Sequence, residues 1–106
     1  MSDPGYRLIT QALQHAISVI PVPGPSAVIT AISISGLPLH RFAFEGFLPV
    51  KSGKKKNFLN KIREEERTLV FYESPHRIIN TLRDLIEVMG DRNAVLCREL
   101  TKMHEE

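Results

Sequence analysis

Residues 68–77 read Thr68-Leu69-Val70-Phe71-Tyr72-Glu73-Ser74-Pro75-His76-Arg77. Thr68–Tyr72 is apolar and β-favouring enough to form a short buried strand. The polar tail then predicts a helix start, with Ser74 as N-cap and Pro75 at the first helical position, where its missing N–H costs nothing. His76 and Arg77 put cationic side chains at the helix end that already carries partial positive charge. A helix N-terminus with extra donors suits an anion such as a phosphate or carboxylate. The alternative is that both side chains bend into water and pair with Glu73.

Downstream, Ile78, Ile79, Leu82, Leu85, Ile86 and Met89 follow helical spacing up to Gly90, which predicts an amphipathic helix over 75–89. Asn93–Arg98 contains an apolar run and predicts a strand, followed by the polar end Arg98-Glu99-Leu100-Thr101-Lys102-Met103-His104-Glu105-Glu106. Upstream, Lys54–Glu66 reads as an exposed amphipathic helix with Phe58, Leu59 and Ile62 as its stripe. Its many lysines and arginines form either a solvated face or a contact for RNA phosphates. Phe42–Phe47 predicts another strand. Pro25–Ser35, apolar nearly all round and closed by Gly36, predicts a mostly buried helix. Ile17–Ile20 predicts a short strand. Before it, Tyr6, Ile9, Leu13 and Ala16 give a helical face behind the cap-like Ser2-Asp3-Pro4-Gly5. Helices and strands therefore alternate, which argues for an α/β fold with crossover connections.

Composition bounds the function. The 106 residues leave room for one domain or pieces of two, and a net charge of +2 does not by itself announce a nucleic-acid binder. One cysteine, Cys97, excludes a disulfide framework and a multi-cysteine zinc site. No apolar run approaches the ~18 residues of a membrane span, and no signal peptide is visible, so a cytoplasmic protein without membrane association is expected. The dinucleotide, nucleotide and zinc signatures are missing, and no metal site is expected.

Two strand-to-helix turns share a plan. Pro23-Gly24-Pro25-Ser26-Ala27 offers a glycine where a ligand can approach the backbone, then proline and a small hydroxyl. Glu73–Arg77 repeats it with more charge. In α/β folds ligands gather at the carboxyl ends of strands, where such turns converge. Arg98–Lys102 follows the last predicted strand and supplies a third polar cluster.

Taken together, SDPGYRL, PVPGPSA, SGLP, FAFEGFLP, TLVFYESPHR, GDR and RELTKMHEE resemble the middle of the tetrapyrrole-methylase superfamily. Within it they are most similar to the group acting on small-subunit ribosomal RNA. The resemblance implies a two-domain α/β enzyme, commonly dimeric, that uses S-adenosylmethionine to 2′-O-methylate a cytidine in the decoding centre of 16S ribosomal RNA. It implies that residues 1–40 are the end of a first domain plus a linker helix, and 41–106 most of a second. It places Gly24, Pro25, Ser26 and Ala27 on one wall of the cofactor cleft, and Tyr72 and Glu73 on the other. Ser74, Arg77, Arg98, Thr101 and Lys102 are implied to meet substrate RNA, with Glu73, His76 and Glu99 as candidate bases. Members of the superfamily carry further chain on both sides, so a piece of a longer protein is expected. Two other readings stay open: a corrin or porphyrin methyltransferase, and a non-catalytic remnant that binds RNA or a partner.

Overall fold

The computed structural model describes residues 5–106; the predicted cap at Ser2 to Pro4 lies outside them. The observed order is α1 (Tyr6–Gln14), α2 (Ala27–Ile34), β1 (Phe42–Phe47), α3 (Ser52–Lys61), β2 (Thr68–Tyr72) and α4 (Ile78–Met89). The mixed α/β class is as expected. β1 and β2 pair in parallel, so a strand, a crossover helix and a second strand form the organising unit. α3 and α4 pack together. The core is Leu48, Leu59 and Val88, with Phe58, Ile62, Phe71, Leu85 and Met89 against it.

Sequence explains why the unit forms where it does. Thr68–Tyr72 and Phe42–Phe47 are β-branched or aromatic runs. Gly46 sits at φ +69°, and the register shifts between Phe44 and Gly46, so Glu45 is an extra residue in β1. Phe44 and Phe47, three apart, would face opposite sides of a regular strand. The extra residue brings both rings onto Tyr72, at centroid distances of 4.9 and 5.4 Å.

Several expectations are corrected. Residues 17–20 and 93–98 form no strand: a run of β-favouring residues becomes a strand only against a neighbour, and among the described residues β1 and β2 pair only with each other. α2 starts at Ala27 rather than Pro25, with Ser26 in extended conformation accepting from the Ile29 N–H through Oγ at 3.4 Å. α3 runs from Ser52 to Lys61 and not to Glu66. The final helix begins at Ile78, three residues beyond Pro75, with Arg77 at the cap position. Its buried face is Thr81, Asp84 and Val88, whereas Ile79, Leu82 and Ile86 are exposed. α1 is amphipathic as expected, yet Tyr6 and Leu13 are 71% and 61% exposed. No helix of the described residues is long and apolar enough to cross a membrane.

Candidate functional site

Where β2 ends, the chain does not pass directly into a helix. Arg77 N–H donates to the Ser74 carbonyl at 2.9 Å, and Thr81 N–H then donates to the Arg77 carbonyl, so a turn over 74–77 precedes α4. This displaces Ser74 from the capping role. The group that organises the turn is Glu73, whose side chain is only 7% exposed. Its Oε1 accepts from the Ser74 N–H at 2.7 Å and from Arg77 Nη2 at 2.8 Å, and its Oε2 accepts from Thr81 Oγ1 at 2.7 Å. The pairing of Arg77 with Glu73 is therefore real, while His76 stands exposed.

The contacts continue inward. Lys55 on α3 is 3% exposed and donates from Nζ to Thr81 Oγ1 at 2.7 Å. The same Nζ lies 3.3 Å from Asp84 Oδ2. Asp84 Oδ1 accepts from Ser52 Oγ at 3.0 Å, and Lys56 bridges Asp84 and Glu87 at 3.8 and 2.7 Å. A buried polar chain thus joins α3, the β2–α4 turn and α4. Burial pushes the Glu73 carboxyl up, but the donors Thr81 and Ser74 and the charges of Arg77 and Lys55 outweigh it and leave it below its ordinary value. Asp84 behaves alike: burial raises it, while Ser52, Lys55 and Lys56 bring it down. Arg77 Nε is buried with no hydrogen-bond partner.

Lys55, Thr81 and Asp84 were missed from sequence. The signal existed: Thr81 and Asp84 share a helical face with Val88, and Lys55 stands one turn before Leu59. Lys55 corrects the reading of α3 as uniformly solvated. Lys51, Lys54 and Lys61 are exposed and, among the described residues, form no ion pair. Arg67 is held by Glu65 through two guanidinium contacts at 2.9 and 2.7 Å.

The remaining predicted site residues fall into two other places. Gly24, Pro25, Ser26 and Ala27 are exposed ahead of α2, and no atom stands within 4 Å of where a Cβ on Gly24 would be. Tyr72 is fixed by Phe44 and Phe47. Arg98, Glu99, Thr101 and Lys102 lie in a terminal loop closed by two backbone hydrogen bonds between Arg98 and Glu106. Within it Lys102 pairs with Glu99 at 3.0 Å and the Thr101 N–H donates to Glu105 Oε2. Glu99 and Thr101 both adopt positive φ, at 51° and 65°. Two surface concavities, of about 330 and 130 Å³, lie around Arg41 and Arg67, and neither is lined by residues of the Gly24 or Glu73 turns. The open glycine corner suits a backbone-lined wall for a cofactor, but these residues form no enclosed pocket between them. Among the described residues no group of three or more His, Cys, Asp or Glu could hold a metal ion.

Comparison with known proteins adds what geometry alone does not. A curated relative from Vibrio cholerae, named ribosomal RNA small subunit methyltransferase I, is 56% identical over 99% of this chain and 37% of its own length. Relatives of the same name from Mycobacterium tuberculosis and Thermotoga maritima are 51% and 45% identical over the whole chain, which covers 38% and 47% of them. The chain thus spans less than half the length of these relatives. The family described as tetrapyrrole (corrin/porphyrin) methylases matches residues 1–106. The chain belongs to that family of methylases.

Proposed function

We propose that this chain works as the central part of an S-adenosylmethionine-dependent methyltransferase that acts on small-subunit ribosomal RNA, at the ribose 2′-oxygen of a cytidine in the decoding centre. The observation that carries this reading is the identity of 45–56% along the full chain to three proteins named for small-subunit ribosomal RNA methylation. The exposed, unpaired Lys51, Lys54 and Lys61 support a polyanionic substrate. A corrin or porphyrin acceptor would call for a large apolar pocket, and neither concavity described above is apolar-walled.

Gly24, Pro25, Ser26 and Ala27 supply one wall of the cofactor site through open backbone, and Tyr72 at the end of β2 belongs to the other. S-adenosylmethionine, when bound, supplies a methyl group on a positively charged sulfur. This chain's own residues then have to fix the acceptor ribose. Arg77, Arg98 and Lys102 meet phosphates, with Ser74 and Thr101 beside them. The 2′-hydroxyl gives up its proton as the oxygen–methyl bond forms, and exposed His76 and Glu99 are the candidates to receive it. Alignment of the reacting groups supplies much of the acceleration in any case. A cytoplasmic homodimer is part of the same proposal.

The test is transfer of a radiolabelled methyl group to purified small ribosomal subunits by the intact enzyme, with nucleoside analysis of the product. The expected product is 2′-O-methylcytidine. Label on a base, or transfer only to a tetrapyrrole acceptor, would refute the proposal.

A further inference from the structure

The buried chain through Thr81 has a fixed direction. A lysine ammonium can only donate, so Thr81 Oγ1 must accept from Lys55, and its single hydrogen is then left for Glu73. Glu73 therefore receives three hydrogen bonds, from Thr81, from the Ser74 N–H and from Arg77. Its carboxylate is ionised, enclosed and already occupied, with both oxygens engaged. A general base needs the opposite: a free lone pair within reach of the proton to be taken. Arg77, by contrast, is 30% exposed and reaches the surface of the turn from this anchor.

We propose that Lys55 and Thr81 are positioning residues: they aim the Glu73 carboxylate at Arg77, so that Glu73 acts on RNA only through the guanidinium it holds and accepts no proton. Glu73 thereby leaves the set of candidate bases. The inference rests on the reading that the intact protein methylates RNA, and it concerns how the β2–α4 turn serves that reaction. Arg77 is the group that touches substrate; Glu73, Thr81 and Lys55 act through it, in that order.

The experiment uses the intact Vibrio cholerae relative with its matching segment replaced by this chain, assayed on small subunits. Thr81→Val and Lys55→Met are expected to raise KM for RNA about tenfold, the equivalent of one hydrogen bond. Their kcat should fall less than threefold, and Thr81→Ser should restore the original KM. Glu73→Gln should behave like Thr81→Val. Loss of a general base would instead cut kcat by about 10²–10⁴ with KM intact, and that result for Glu73→Gln would overturn the inference. So would an unchanged KM in Thr81→Val. If the unsubstituted hybrid transfers no methyl group, the proposed function falls, and the inference is decided on the 106-residue chain by NMR. There the Arg77 Nε–H signal should shift and exchange faster in Thr81→Val and Lys55→Met but not in Thr81→Ser. An invariant signal would overturn it.

Discussion

Lys55 is a cation at 3% exposure whose neighbours are a threonine hydroxyl and the Asp84 carboxylate. Removing one member of such a set strands the others. Lys55→Met should destabilise the chain by about 3 kcal/mol, the lower end for a broken buried pair, because Asp84 keeps Ser52 and Lys56. Urea unfolding with a two-state fit measures it. Acid titration tests the same network. Glu73 and Asp84 titrate below their ordinary 4.5 and 3.8 in the folded chain. Their stabilisation is thus complete above those values and is lost as pH falls through the lower folded ones. Glu65 follows over a defined window, since its hydrogen bonds from the Arg67 side chain and N–H hold it at about 2. Thermal unfolding from pH 7 down to 2 should show a steady fall in midpoint starting near pH 4.5, shallower in Glu73→Gln than in the parent. At this scale the sequence was least informative. A lysine inside Lys54-Lys55-Lys56 is indistinguishable from its neighbours by composition, and only the position of its partner on a helix 26 residues away selects it.

At the scale of elements, two serines that look alike in sequence have different duties. Ser26 caps α2, through a long 3.4 Å bond, so Ser26→Ala should cost about 0.5 kcal/mol, the lower end for an N-cap. Ser74 caps nothing with its side chain; it gives its backbone N–H to Glu73, which alanine also does. Ser74→Ala should therefore leave stability within about 0.5 kcal/mol, as for an ordinary surface change. Denaturant midpoints of the pair compare them directly. Leu59, with no exposed surface, marks where α3 meets the core, and Leu59→Ala should cost about 2–5 kcal/mol. The β1–α3–β2–α4 run was legible because each strand is a dense β-favouring block followed by clear turn residues. Ile17–Ile20 and Asn93–Arg98 carry comparable local patterns, but their fate depends on a partner strand that local pattern does not encode. α4 was legible as a helix, not as to its inward face: the apolar stripe is wide, and the ionic partners on α3 turn Thr81 and Asp84 inward instead of Ile79 and Ile86.

Taken whole, the molecule is extended. Its radius of gyration is 16.5 Å, against about 13 Å for a compact chain of this size. Tyr6, Leu8 and Leu13 on α1, together with Ile20 and Val22, are largely exposed. Apolar surface of this extent drives association, so sedimentation velocity on the isolated 106-residue chain should show concentration-dependent oligomers, and Leu8→Lys with Leu13→Lys should suppress them. Because the Gly24 and Tyr72 corners enclose no pocket here, calorimetry with S-adenosylmethionine should detect no micromolar binding to this chain alone. Micromolar affinity would mean that the two corners close on the cofactor without further chain.

The glycine kink in β1 makes that strand sensitive to counting. Phe47 reaches Tyr72 only because one residue too many separates it from Phe44. Deleting Glu45 would leave every aromatic in place in the sequence and yet reverse the parity of all that follows in the strand, sending Phe47 to the far side and Leu48 out of the core. The length of this short segment, more than its chemistry, is what sets the floor on which Tyr72 and the adjoining turn rest.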